Sequence, residues 1–202
     1  MIPLGYMAKF VVTRSEWLKA PQVSKIYSVS ACISEDFGKW VDAWRHNGYW
    51  FFDSPQVIAG IAAERKIDLH GTTLFYYEGF ETEYDPETGW VPYQPEPSFP
   101  LHVLLPAAKI LCGFDVVTFH SGSAPECSPL SCNGLAAELK VNEFCLLPSL
   151  EETMAALEAG HFNNSEPGPY RIIAVYITAP AFTQLSAIKV PSTTNLTSIN
   201  QP

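Results

Sequence analysis

A chain of 202 residues that is 47% hydrophobic and 13% aromatic has enough apolar mass for a buried core, which excludes a disordered tail. Only 16% of residues are charged and the net charge is −9, so the clustered cations that grip nucleic-acid phosphates are missing and no nucleic acid is expected as partner. No run of about 18 apolar residues occurs, and MIPLGYMAKFVV has neither the basic start nor the long apolar stretch of a secretion signal, so the chain reads as cytoplasmic with no membrane partner.

Met7 reads as an alternative start with residues 1–6 a frayed leader, which leaves a single domain over residues 8–180. VSKIYSVSACI (23–33) alternates and is rich in β-formers, predicting a strand; GKWVDAW (38–44) follows as a short helical piece, and NGYWFFD (47–53) as a short aromatic strand. Ser54 with Pro55 behind it starts a helix over 55–66, since serine caps the free N–H groups and proline suits the first turn. TTLFYYEGFETEY (72–84) is a long strand, DPETG a proline-started turn and GWVPY (89–93) its return, so together they form a hairpin. After the proline-broken segment 94–106 come a strand at FDVVTFH (114–120), a polar loop, a short helix at GLAAEL (134–139) and a strand at EFCLLP (143–148). SLEETMAALEAG gives a helix over 150–159 with a serine cap, acids in its first turn and a terminal glycine; YRIIAVYI (170–177) is the last strand. The tail 181–202, polar and without periodicity, is expected to be flexible.

The two halves run in the same order. Asparagine, strand, serine cap, helix, polar loop and long strand follow one another from Asn47 and again from Asn142, with Tyr77 falling against Tyr176. The order predicts two fused ββαβ repeats, about 25–84 and 114–178, and an α+β fold whose mixed β-sheet carries its helices on one side.

The loop FHSGSAPECSPLSCNGL (119–135) concentrates polar and thiol side chains. Cys127 is a candidate nucleophile with His120 as its base and Asn133 or Asp115 to orient the imidazole, the arrangement of a small cysteine-dependent enzyme. Cys127-x4-Cys132 with His120 also suggests a metal, but no second Cys or His pair follows at finger-like distance, so neither metal nor cofactor is expected. Cys32, Cys112 and Cys145 sit in apolar runs and read as buried small hydrophobes. Arg45 and His46, ahead of the first-half helix, are candidates to bind an anion at the mouth of the same cleft.

Charge is the other signal. From Ile67 to Ala108 there is no lysine or arginine against seven acids. Glu81, Glu83 and Glu87, interleaved with Tyr84, Trp90 and Tyr93, make the hairpin a candidate surface for a basic protein, in the manner of an immunity protein or inhibitor. The phrases SPLSCNGLA, NEFCLL and NSEPGPYRIIAVY resemble those of a bacterial protein family with no assigned activity; the likeness covers most of residues 25–178 and implies no site residue.

Overall fold

The computed structural model describes residues 1–93, 102–118 and 127–178. The expected flexible tail and residues 119–126 of the polar loop, His120 among them, lie outside these. The described elements are β1 (Ile2–Lys9), β2 (Val12–Thr13), β3 (Lys25–Ile26), α1 (Pro55–Arg65), β4 (Thr73–Asp85), β5 (Gly89–Pro92), β6 (Lys109–Thr118), α2 (Pro129–Cys132), α3 (Leu150–Glu158) and β7 (Tyr170–Thr178), with 3-10 turns at Phe37–Trp40, Ala43–Arg45 and Leu135–Ala137. This is an α+β fold. The main sheet has the order β1-β4-β7-β6, and β5 pairs with the outer end of β4.

The sheet is antiparallel throughout the described residues, not mixed as expected. Its order explains why. Gly5 of β1 pairs with Tyr77 of β4, Gly113 of β6 pairs with Val175 of β7, and Tyr77 and Val175 pair with each other. An approximate two-fold perpendicular to the sheet thus passes between β4 and β7, and strands related that way must run in opposite directions. The register also sets Tyr77 against Val175, one residue from the match with Tyr176 read in the sequence.

The expected leader is in fact the start of β1. Leu4, Tyr6 and Met7 are buried, and Ile2 and Pro3 pair with β4. Pro3 and Gly5, which look like loop residues, flank a bulge; the corresponding bulge in β6 lies between Leu111 and Gly113. Both glycines are required there. Their φ values are +130° and +142°, and an added Cβ would stand 2.6 Å from the Phe52 carbonyl oxygen or 2.8 Å from that of Leu147.

The strands expected within 47–53 and 143–148 are asparagine-centred turns. Asn47 Oδ1 accepts from the N–H groups of Tyr49 (3.0 Å) and Phe51 (3.1 Å), and Nδ2 donates to the Leu4 carbonyl at 2.8 Å. Asn142 repeats this with Phe144 (2.9 Å), Leu146 (3.2 Å) and the Cys112 carbonyl (2.7 Å). Trp50 and Cys145 take left-handed backbone at φ 64° and 63°. The side chain takes the N–H groups a ladder needs and the left-handed residue turns the chain, so only the bridges Tyr6–Phe52 and Phe114–Leu147 remain.

Helix signals are obeyed. Ser54 Oγ accepts from Val57 N–H and Ser149 Oγ from Glu152 N–H; α1 ends on Lys66 in left-handed backbone, α3 with Gly160 just beyond. Each helix packs near the outer strand of its own half, α1 on β1 and α3 on β6. The core accordingly has two lobes, one built around Tyr6, Phe52, Ile58 and Phe75, the other around Val116, Leu130, Leu157 and Ile172, with Tyr176 packed against both.

Candidate functional site

The predicted strand 23–33 stops pairing after Ile26, and the reason is two buried ionisable side chains, Lys9 and Asp115, that take its backbone groups. Lys9, 2% exposed, donates all three ammonium protons to the carbonyls of Ser28 (2.7 Å), Val29 (3.0 Å) and Ser30 (2.8 Å). Asp115, fully buried, accepts from Ser28 Oγ (3.0 Å), Val29 N–H (2.8 Å), Val116 N–H (2.9 Å) and Ser128 Oγ (2.5 Å). Segment 28–30 therefore gives its backbone groups to side chains rather than to a neighbouring strand. Burial lowers the Lys9 pKa to about 8, against the pull of Asp36 and Asp115, and burial raises that of Asp115 against the bond from Ser128. In the sequence Asp115 was a candidate to orient His120; its described contacts are these four donors instead.

Asp115 also fixes the second segment. Its bond from Ser128 Oγ occupies the residue before α2, and Thr118 N–H holds the Cys127 carbonyl at 2.9 Å. The two anchored segments bring three thiols together: Cys32, Cys127 and Cys132 have sulfurs within 4.8 Å of one another. Cys32 is exposed, contrary to its apolar sequence context, while Cys112 and Cys145 are buried as expected; none of the five cysteines is joined in a disulfide. Ser30 Oγ accepts from Cys32 N–H (3.1 Å) and lies 3.8 Å from Cys132 Sγ. Cys127 Sγ donates to Asn133 Oδ1 at 3.3 Å, and Asn133 Nδ2 in turn donates to Glu166 (2.8 Å) and the Ser165 carbonyl (3.2 Å). Burial, with the neighbouring thiols, pushes the Cys127 pKa up, and burial does the same to Cys132. A nucleophile needs the opposite shift.

The other sequence candidates are placed as follows. Arg45 forms a two-point ion pair with Glu64 on α1 (2.8 and 3.0 Å) and stacks on Trp44 at 4.6 Å, so its guanidinium is engaged within the chain. His46 lines a cavity of about 180 Å³ with Trp50, Asp36 and Lys39. On the hairpin, Glu83 is paired with Arg171 at 2.8 Å, and the Arg171 guanidinium lies 3.5 Å over the Tyr93 ring. Trp90 packs edge-on to Phe80 and Tyr84 and donates its indole N–H to Glu158 at 2.8 Å. The aromatic residues thus brace the hairpin instead of standing out from it. Glu81, 3.6 Å from the Met1 amine, and Glu87 at the turn are exposed.

The hairpin's acids are less bare than the sequence suggests, because its cations come from other strands. Lys109 on β6 ion-pairs with Glu78, which Tyr176 also bonds at 2.9 Å, and Arg171 comes from β7. Register alone carries that information; Glu83 and Arg171 are direct cross-strand partners.

Fold and site define an α+β protein with a three-thiol cluster on a buried lysine–aspartate frame. Comparison of the chain with protein-family models, curated proteins and solved structures finds no match. No helix among the described residues is long and apolar enough to cross a membrane.

Proposed function

We propose that the chain is a cytoplasmic binding protein of the immunity or inhibitor kind, which meets a basic protein with the tip of the β4–β5 hairpin. The observation that carries this reading is the division of the acids: Glu78 and Glu83 are neutralised from β6 and β7, whereas Asp85 and Glu87 at the turn have no ion pair among the described residues. N–H groups of Thr88 and Glu87 hold Asp85 below the usual carboxylate range, so this carboxylate stays charged. Trp90, Tyr84 and Tyr93 support it rigidly, which limits the ordering cost of binding. Five cysteines with no disulfide among them suit a reducing compartment. We infer also that the matched asparagine turns and glycine bulges reflect an internal duplication.

The competing reading, a cysteine-dependent enzyme acting through Cys127, His120 and Asn133, has less support. Cys127 meets an amide oxygen, which takes no proton, and its thiol is held protonated. Affinity capture from the native host followed by association kinetics tests the binding reading. The on-rate for a captured basic protein should fall steeply with salt, and Glu81→Gln with Glu87→Gln should slow association and flatten that dependence. Partners that are acidic, or rates indifferent to both salt and the double variant, would refute it.

A further inference from the structure

The cluster of Cys32, Cys127 and Cys132 has a chemistry that the hairpin does not use. Two segments far apart in sequence deliver the three sulfurs, and neither is left to chance: Lys9 and Asp115 fix residues 28–30, Asp115 and Thr118 fix residues 127–128, and Cys132 ends the single turn of α2. That is the support a ligand set requires, with its partners already hydrogen-bonded. From these observations we propose that Cys32, Cys127 and Cys132 together bind one thiophilic d10 cation of the zinc class, with a fourth donor from solvent or from Glu166.

Tetrahedral zinc with Zn–S bonds of ~2.3 Å separates its sulfurs by ~3.8 Å. The three sulfurs, within 4.8 Å of each other, therefore need to close by at most about 1 Å. A disulfide would join two of them, require an external oxidant and leave the third unused; a cation engages all three. On binding, each S–H bond is replaced by a sulfur–metal bond and its proton passes to solvent, so one ion displaces three protons. Three thiolates and a divalent ion carry a net −1. Glu166 reaches the site through Asn133, which bonds both its carboxylate and the Cys127 thiol. His120 lies outside the described residues and no role is assigned to it.

The test uses the full chain, reduced, stripped with chelator under anaerobic conditions and titrated with Co²⁺. One equivalent should produce thiolate-to-cobalt charge-transfer absorption with the visible bands of a tetrahedral site, and one equivalent of Zn²⁺ should abolish both. Cys127→Ser and Cys132→Ser should lose the charge-transfer band and weaken Zn²⁺ competition by more than the ~10–100-fold typical of supporting residues, while Cys112→Ala, outside the cluster, should titrate like the parent. The parent spectrum decides the matter even where a variant fails to fold. Absence of thiolate absorption in the folded, reduced parent overturns the proposal, as does a band that survives in the Cys127→Ser/Cys132→Ser double variant. So does a protein that ignores Co²⁺ when reduced and becomes two hydrogens lighter in air through a Cys127–Cys132 link.

Discussion

Replacing Lys9 by methionine keeps the length of the side chain and removes its charge and its three donors. Net of solvation, a hydrogen bond from a charged donor is worth ~1.5–3 kcal/mol, so the bonds to Ser28, Val29 and Ser30 together hold roughly 4.5–9 kcal/mol. Those values are already net of desolvation, and burial of the ammonium shows separately in a pKa lowered from 10.5 to about 8. Lys9→Met forfeits the bonds and leaves three buried carbonyls without their donor, for a loss of several kcal/mol. Urea unfolding at pH 7 reads this as a lowered midpoint at constant m-value. A loss under about 1 kcal/mol would mean that the three carbonyls find water or other donors, and that Lys9 does not hold the thiol-bearing segment.

Further outcomes follow from the same structure. Between about pH 8 and pH 10.5 the unfolded chain keeps the Lys9 proton that the fold has given up, so the parent gains stability as pH rises through that window. Measured as the difference between parent and Lys9→Met, which cancels the tyrosines and thiols, the gap should widen with pH; a gap that narrows would reverse the sign. Gly5→Ala and Gly113→Ala should each cost ~2–5 kcal/mol, because a Cβ at positive φ would press on the Phe52 or Leu147 carbonyl, and similar losses at the two sites would reflect their matched geometry. Lys66→Gly, at the exposed left-handed end of α1 with φ 58°, should raise stability by ~0.5–1 kcal/mol in the same urea assay. A loss there would show that the lysine side chain contributes contacts beyond its backbone.

The legible parts of the fold were those with local causes. Ser54 with Pro55, and Ser149 with Glu151 and Glu152, specify their helices through bonds made within one turn, and β4, β5 and β7 have alternation over enough residues to be read. What escaped reading was what depends on distant partners. Pro3 and Gly5 suggested a loose leader because a bulge residue and a loop residue look alike until the opposite strand is in place. Asn47 and Asn142 marked the repeated order, but their work, seizing the N–H groups of the next residues and a carbonyl of the outer strand, made strands of neither following segment. The candidate site divides in the same way. Cys127 and Asn133 were singled out together and do touch, yet the metal reading was set aside for want of a nearby ligand pair, and the third thiol comes from Cys32, roughly a hundred residues earlier in the chain. A lysine in MAKFVV carries no signal that its charge is buried; only the three carbonyls around it do.

The two outer strands have a bearing on how this protein meets others. An open sheet ordinarily offers its rim as a template on which a foreign strand can be laid, the route to both strand-swapped complexes and fibrous aggregates. Here the rim is already occupied: Tyr6 and Phe114 exchange both backbone bonds with Phe52 and Leu147, while Leu4 and Cys112 have their carbonyls taken by asparagine amides. Pro3 has no N–H to give. Association by extension of the sheet is therefore blocked at the middle of β1 and of β6.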